Sequence, residues 1–213
     1  NLHATSRWLP HSLNFSFHAP HDVYGMMELL GGEKQFVAKM DELFGMDLPE
    51  IYYADNEDVT KECLIGGYVH GNEPSHHIPY LYAWTDQPWK TQYWVREIMN
   101  KMYVPVMHGL GGNDDCGQMS AWYMLSAMGF YPINPVSGEY VFGAPQMPKI
   151  VLQLPKGKTF TVIADGISAD NKYVDYITLN GKKYNKTSIS HSEIMHGGTL
   201  VYKMCNKKKH DKN

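Results

Sequence analysis

From residue 22 to about residue 130, apolar positions recur at three- and four-residue spacing. Asp22 stands as an N-cap before Val23, Met26, Met27 and Leu30, and Gly31-Gly32 ends that helix. A second helix sets Phe36, Val37, Met40, Leu43 and Phe44 on one face, and a loop through Pro49 and Asp58 follows. Pro74, a favoured first-turn residue, opens a short helix over 74–83. "QPWKTQYWVREIMNKMY" predicts a helix with Trp94, Ile98, Met99 and Met102 in register. "GQMSAWYMLSAMGF" predicts a further helix, ended by Gly129 and apolar nearly all round, so buried.

The pattern changes at "FYPINPVSGEY". Beyond it, "KIVLQL", "TFTVIA", "DYITLN" and "TLVYKM" are short, β-branched runs bounded by Gly, Pro or Asn. Asn180-Gly181 is a strong hairpin signal, and the tail "KKKHDKN" reads as a solvated end. The expected fold class is therefore mixed α and β: helices over residues 1–132, then an antiparallel β region over 133–213. No internal repeat or low-complexity segment interrupts this order.

Bulk properties narrow the function classes. A formal net charge of -3 gives no electrostatic case for nucleic acid, and no stretch has the apolar length of a membrane span. Aromatic residues make up 13% of the chain. With eleven histidines they suit either an aromatic core or a site that stacks on flat ligand faces such as sugars. Cys63, Cys116 and Cys205 match no zinc or redox spacing, and their odd number leaves at least one unpaired within the chain. "NLHATSRW" has neither the apolar core of a signal peptide nor an initiator Met, so a processed or truncated start is expected.

Two polar clusters hold the candidate chemistry: "HGNEPSHHIPYLY" at 70–82 and "GGNDDCGQMSAWY" at 111–123. Asn113, Asp114 and Asp115 sit in a Gly-rich turn before a helix, where they can cap it, bind a hard cation or supply a base. Cys116 beside them reads as a small packed residue. Asn72 and Glu73 are oxygen donors of the kind calcium takes, and Pro74 biases Glu73 away from the helical region. His76 and His77 are adjacent and point to different sides; one suits the core and the other a ligand hydroxyl. The sequence is not the HExxH zinc pattern.

Taken together, "PHDV", "ELLGG", "FVAKMDELF", "HGNEPSHHIPYLY", "QPWKTQYWVREIM", "GNDDCGQMSAWYMLSAMGFYP" and "LNGK" resemble the C-terminal part of glycoside hydrolase family 92. These are calcium-requiring, inverting exo-α-mannosidases, and the similarity runs from about Pro20 to about Met204. The resemblance implies the late helices of an (α/α)6 toroid followed by closing strands. An N-terminal β-sandwich that shares the family's active site would lie outside this chain. It also implies a mannose-containing oligosaccharide such as an N-glycan as substrate, and a secreted or periplasmic location.

The implied roles fall on named residues. Asp115, with Asp114 second, looks like the catalytic base. Asn72 and Glu73 look like the calcium ligands, and His76, His77 and Gln118 like substrate-binding residues. Asn113 stands where relatives carry a carboxylate. An inverting enzyme also needs an acid, and relatives show "EGNAWQ" shortly before "PHDV". Here Leu9 falls at that Glu in an ungapped count, and none of the eight residues before it is acidic. Two alternatives stand beside this reading. One is a degenerate, non-catalytic sugar-binding remnant. The other is a different metal-dependent hydrolase with His76, His77 and Asp115 as ligands.

Overall fold

A computed structural model describes residues 13–49, 61–107 and 109–209. Leu9 lies outside the described residues, as does most of the loop from Pro49 to Asp58. The chain divides into two compact units: residues 1–78 with 98–123, and residues 79–97 with 124–213. The composition change near residue 132 therefore falls inside the second unit.

In the first unit, α1 (Val23–Leu29) and α2 (Glu33–Gly45) follow the predicted pattern. Asp22 caps α1 by accepting from the Gly25 N–H at 2.9 Å. Phe36, Val37, Met40, Leu43 and Phe44 are all buried on α2. A hairpin that the pattern did not show follows: β1 (Leu64–Ile65) pairs with β2 (Tyr68–Val69) across Gly66-Gly67. Its turn closes the end of α2, with Gly67 N donating to Leu43 O at 2.7 Å. Buried Asn14 ties the hairpin down, donating to Gly67 O and accepting from Val69 N and the Ser75 hydroxyl.

The helix expected over 74–83 is instead two 3-10 segments, Glu73–Ser75 and Ile78–Trp84. Pro74 and Pro79 lack the N–H that an α-turn would use, and i→i+3 bonding takes over. Glu73 begins the first segment, so the extended bias of a residue before proline is overridden here. Ser75 N bonds to Asn72 O, and His76 N to Glu73 O.

Two longer helices follow. α3 (Trp89–Met102) buries Val95, Ile98, Met99 and Met102. α4 (Gln118–Met128) ends at Gly129, whose φ is +102°. The expectation of all-round burial for α4 needs correcting. Met119, Trp122, Ala127 and Met128 are buried, but Ala121 and Met124 face solvent.

The second unit holds two sheets. β3 (Phe130–Tyr131), β4 (Glu139–Phe142) and β9 (Ser188–Ser190) form the smaller one. The larger has the order β5-β6-β10-β7-β8, from β5 (Lys149–Gln153), β6 (Thr159–Asp165), β7 (Tyr173–Leu179), β8 (Lys182–Lys183) and β10 (Gly198–Cys205). The predicted Asn180-Gly181 turn joins β7 to β8. The region is not wholly antiparallel. β10 inserts between β6 and β7 and runs parallel to β6, which the long intervening excursion through β7, β8, β9 and the short helix α5 (His191–His196) permits. Phe160, Val162, Leu200, Tyr202 and Ile189 form the centre of the core. The tail is pinned at its start: Lys208 lies over the Trp89 ring and Lys209 donates to Asp175 O.

Gly129 and Tyr202 lock the end of α4 to β10. The buried Tyr202 hydroxyl donates to Gly129 O at 2.9 Å, and a Cβ on Gly129 would meet the Tyr202 ring at 2.9 Å. Gly129→Ala combines a left-handed backbone with overpacking and should cost about 2 kcal/mol or more. Tyr202→Phe removes one of two hydrogen bonds to Gly129 O, which keeps Gly143 N, and should cost about 0.5–1.5 kcal/mol. Urea denaturation of both variants checks this order.

The capping box of α5 makes acid sensitivity predictable. The Glu193 carboxyl is held down to about 2, first by the Ser190 N–H, then by the Ser190 and Tyr184 hydroxyls and Lys186. Its folded value lies below the unfolded value near 4.3. The stability it adds is therefore complete above about pH 4.5 and is lost as pH falls toward 2. Glu193→Gln should lower stability at pH 7 by about 1 kcal/mol and flatten the acid limb, as read by thermal melts across pH.

Candidate functional site

The polar loops at 70–77 and 109–117 both belong to the first unit, and their backbones touch. A Cβ on Gly112 would fall 2.7 Å from Gly71 Cα, so the second loop could not carry a side chain at this point without parting from the first. Gly112 also has φ +128°, a conformation that suits glycine. Asn72 and Glu73 follow Gly71 directly, and Asn113, Asp114 and Asp115 follow Gly112. Two amides and three carboxylates thus lie on two loops in contact.

Side chains fix the same junction. Gln118, the first residue of α4, bonds through Nε2 to His76 Nδ1 at 3.2 Å. With that amide donating, His76 carries its proton on Nε2 and donates it to His70 O at 2.9 Å. The Trp122 indole N–H, one turn further along α4, donates to His76 O at 3.0 Å. His70 is the centre of a second chain. The Tyr103 hydroxyl donates to Met119 O, so His70 Nε2–H donates to Tyr103, and His70 Nδ1 accepts from the Tyr68 hydroxyl at 2.8 Å. The His70 ring lies edge-on to Trp122, with centroids 4.4 Å apart.

These imidazoles are neutral. Burial lowers His70 far below its usual value, and nearby His76 adds to the effect. Burial pulls His76 down to about 4, partly offset by its bond to the His70 carbonyl. His77 is likewise lowered to about 4 by burial, offset by its bond to Phe17 O at 2.7 Å. His76 and His77 thus both spend Nε2 on backbone carbonyls, on different neighbours. Among the described residues, no three His, Cys, Asp or Glu side chains gather as a metal site. The ligand set His76, His77 and Asp115 is not assembled.

Asp114 and Asp115 are placed differently. Asp114 is half-buried, and its Oδ1 accepts from Ser120 N at 2.8 Å, so it caps α4. Asp115 and Cys116 are exposed and take φ of 43° and 58°, two left-handed residues in succession before Gly117. Backbone strain of this kind concentrates at functional sites. Asn72, at the head of its 3-10 turn, makes no side-chain capping bond, and Glu73 is half-buried beside it. Their hard oxygens fit calcium in donor type but supply only part of the six to eight ligands it takes. Cys63, Cys116 and Cys205 form no disulfide with one another.

Sequence reasoning located both loops but missed Tyr68, Tyr103 and the Gly71–Gly112 contact. The Gly111-Gly112 pair was the available signal for a close backbone approach. Nothing in the pattern marked the two tyrosines.

The buried imidazoles carry an expected pH response. Their folded values lie below the unfolded value of about 6.5, so the unfolded chain binds more protons between the two. Stability should be full above about pH 6.5 and fall as pH drops toward 4. His77→Gln should reduce that dependence, as measured by denaturant titrations between pH 4 and 7.

Comparisons with known proteins bear on the family. Residues 10–206 match the glycosyl hydrolase family 92 catalytic domain. A protein of Arthroderma benhamiae described as an uncharacterized secreted glycosidase is 30% identical over 187 residues, covering 86% of this chain and 22% of that protein. A family GH92 α-mannosidase from Bacteroides thetaiotaomicron, solved in complex with mannoimidazole, is 38% identical with a TM-score of 0.84, over 93% of this chain and 26% of its own. A family GH92 inverting mannosidase from the same organism is 38% identical with a TM-score of 0.79, over 92% and 27%. The chain thus spans about a quarter of the length of these solved relatives. With nearly its whole length matched, the chain belongs to glycosyl hydrolase family 92.

Proposed function

We propose that this chain is the C-terminal part of a calcium-dependent, inverting exo-α-mannosidase that hydrolyses α-mannosidic bonds of glycans such as N-glycans. In this reading residues 1–132 contribute late helices of an (α/α)6 toroid and residues 133–213 the β region that closes it. A β-sandwich outside this chain completes the pocket, and the whole protein is secreted or periplasmic. The observation that supports it most is the Gly71–Gly112 contact, which gathers Asn72, Glu73, Asp114 and Asp115 in a chain of this family.

Asn72 and Glu73 would hold the calcium, whose hard positive charge would help bind the sugar through its hydroxyls. Asp115 takes a proton from the attacking water as the bond from the anomeric carbon to the leaving oxygen breaks. The exposed Asp115 suits this better than Asp114, whose Oδ1 is committed to Ser120 N. Gln118 stands at the loops to orient substrate, while buried His76 and His77, with Nε2 on backbone carbonyls, hold the protein framework rather than the sugar. Inversion needs the base roughly 6.5–9.5 Å from an acid, with water between. The first acidic residue in the sequence is Asp22, so that acid comes from outside this stretch. The same fact favours a second reading, a sugar-binding remnant without turnover.

Hydrolysis of α-1,2-mannobiose and α-mannosyl fluoride, with calcium and with chelator, tests these readings. The chain should cleave the fluoride, which needs no leaving-group proton, in calcium only. The disaccharide should react about 10²–10⁴-fold less efficiently than with an intact acid. NMR should show β-mannose as the first product. Asp115→Asn should abolish fluoride cleavage while sparing calcium binding, and Glu73→Gln or Gly112→Ala should weaken calcium binding in calorimetry. Cleavage of neither substrate by the chain joined to its missing β-sandwich, with retained mannose binding, would establish the remnant. Calcium-independent cleavage would overturn the metal assignment.

A further inference from the structure

The two ends of the larger sheet differ in charge. Where β6 and β10 finish and β7 begins, carboxylates stand among the lysines and pair three of them. Lys203 Nζ lies 2.8 Å from Asp165, Lys172 Nζ 3.1 Å from Glu97, and Lys209 pairs with Asp175. The opposite end is built from the β5–β6 turn, the β7–β8 turn and the start of β10. Lys156 and Lys158 stand on the first turn, and Lys182 and Lys183 directly follow the second. All four are exposed, and none forms an ion pair among the described residues. Residues 154–160, 178–184 and 195–200 contain no Asp or Glu. Glu193, on the helix before β10, has its carboxylate occupied by Ser190, Tyr184 and Lys186.

Register holds both turns at this end. Leu179 lies opposite Lys182 on one side and Leu200 on the other, while Gly198 pairs with Phe160. Asn180 N donates to Thr199 O, and Thr199 N returns to Asn180 Oδ1, both at 2.8 Å. A Cβ on Gly197 would fall 3.6 Å from Lys158 Cβ. Left-handed Lys156 (φ 62°) and Asn180 (φ 52°) give the turns a defined shape. Five strands about 4.8 Å apart spread the lysine pairs along a rim roughly 20 Å long.

We propose that this rim binds an extended polyanion, specifically a sulfated or phosphorylated polysaccharide. A surface kept only for solubility intersperses both signs, as the other end of the sheet does. Here one sign stands alone along a line. None of the exposed large apolar or aromatic residues lies on these turns, so the rim lacks a stacking platform for bases and a wedge for lipid. An anionic glycan needs neither, and it is the polymer class that a glycosyl hydrolase meets. The proposal stands apart from the chemistry of the first unit.

The test measures binding of the 213-residue chain to a heparin-derived oligosaccharide at about 50 and 200 mM salt. Four contacts at a counterion-release slope of about −0.7 each predict an affinity loss of about 50-fold between the two. The variant Lys156→Gln/Lys158→Gln/Lys182→Gln/Lys183→Gln should lose most of the low-salt affinity and the salt slope. An equal charge loss at the opposite end, Lys149→Gln/Lys207→Gln/Lys208→Gln/Lys209→Gln, should change affinity no more than about threefold. Circular dichroism melts confirm that both variants fold. The proposal is overturned if the oligosaccharide does not bind or if both variants lose affinity equally. Tighter binding of single-stranded oligonucleotide or phosphatidylserine vesicles would also overturn it.

Discussion

The candidate site depends on one steric condition: two loops, forty residues apart in sequence, approach until only hydrogen fits between Gly71 and Gly112. The contact puts Asn72 and Glu73 beside the turn that carries Asp114 and Asp115, and α4 begins immediately after. The start of α4 is in turn locked to the first loop through Gln118 and Trp122, both bonded to His76. A backbone contact and a side-chain junction therefore enforce the same geometry, and loss of either loads the other.

Neutral histidines suit this task. A charged imidazole at these depths would need a buried carboxylate partner, and neither His70 nor His76 has one beside it. Each instead donates one N–H and accepts one hydrogen bond, which fixes ring orientation at no cost in buried charge. The acidic groups stay at the loops, where solvent and ligands reach them. This separation lets one small region combine a buried, neutral hydrogen-bonded base with accessible carboxylates at its edge.

The second unit is built on different physics. Its alternating strands bury Phe160, Val162, Leu200 and Tyr202, and its long excursion returns β10 to the middle of the sheet. Tyr202 reaches from that central strand to the last turn of α4.

Much of this was legible in the sequence. Helices α1 to α4 announced themselves because full 3.6-residue periodicity, an Asp cap and terminating glycines all agree over several turns. The longer strands and the Asn180-Gly181 turn were equally plain, and both polar clusters stood out by composition. Strands of two to four residues, such as β1 to β4, did not, because so short a run has no measurable period. Two prolines turned an apparent helix into 3-10 segments, and the parallel seat of β10 arose from a pairing across almost forty residues that no local pattern encodes. Residue types alone identified the family and the candidate donors. Only the tertiary structure decided that Gly71 meets Gly112, that Tyr68 and Tyr103 share His70, and that His76 is a buried neutral strut, because burial and hydrogen-bond partnership are set by distant segments meeting in space.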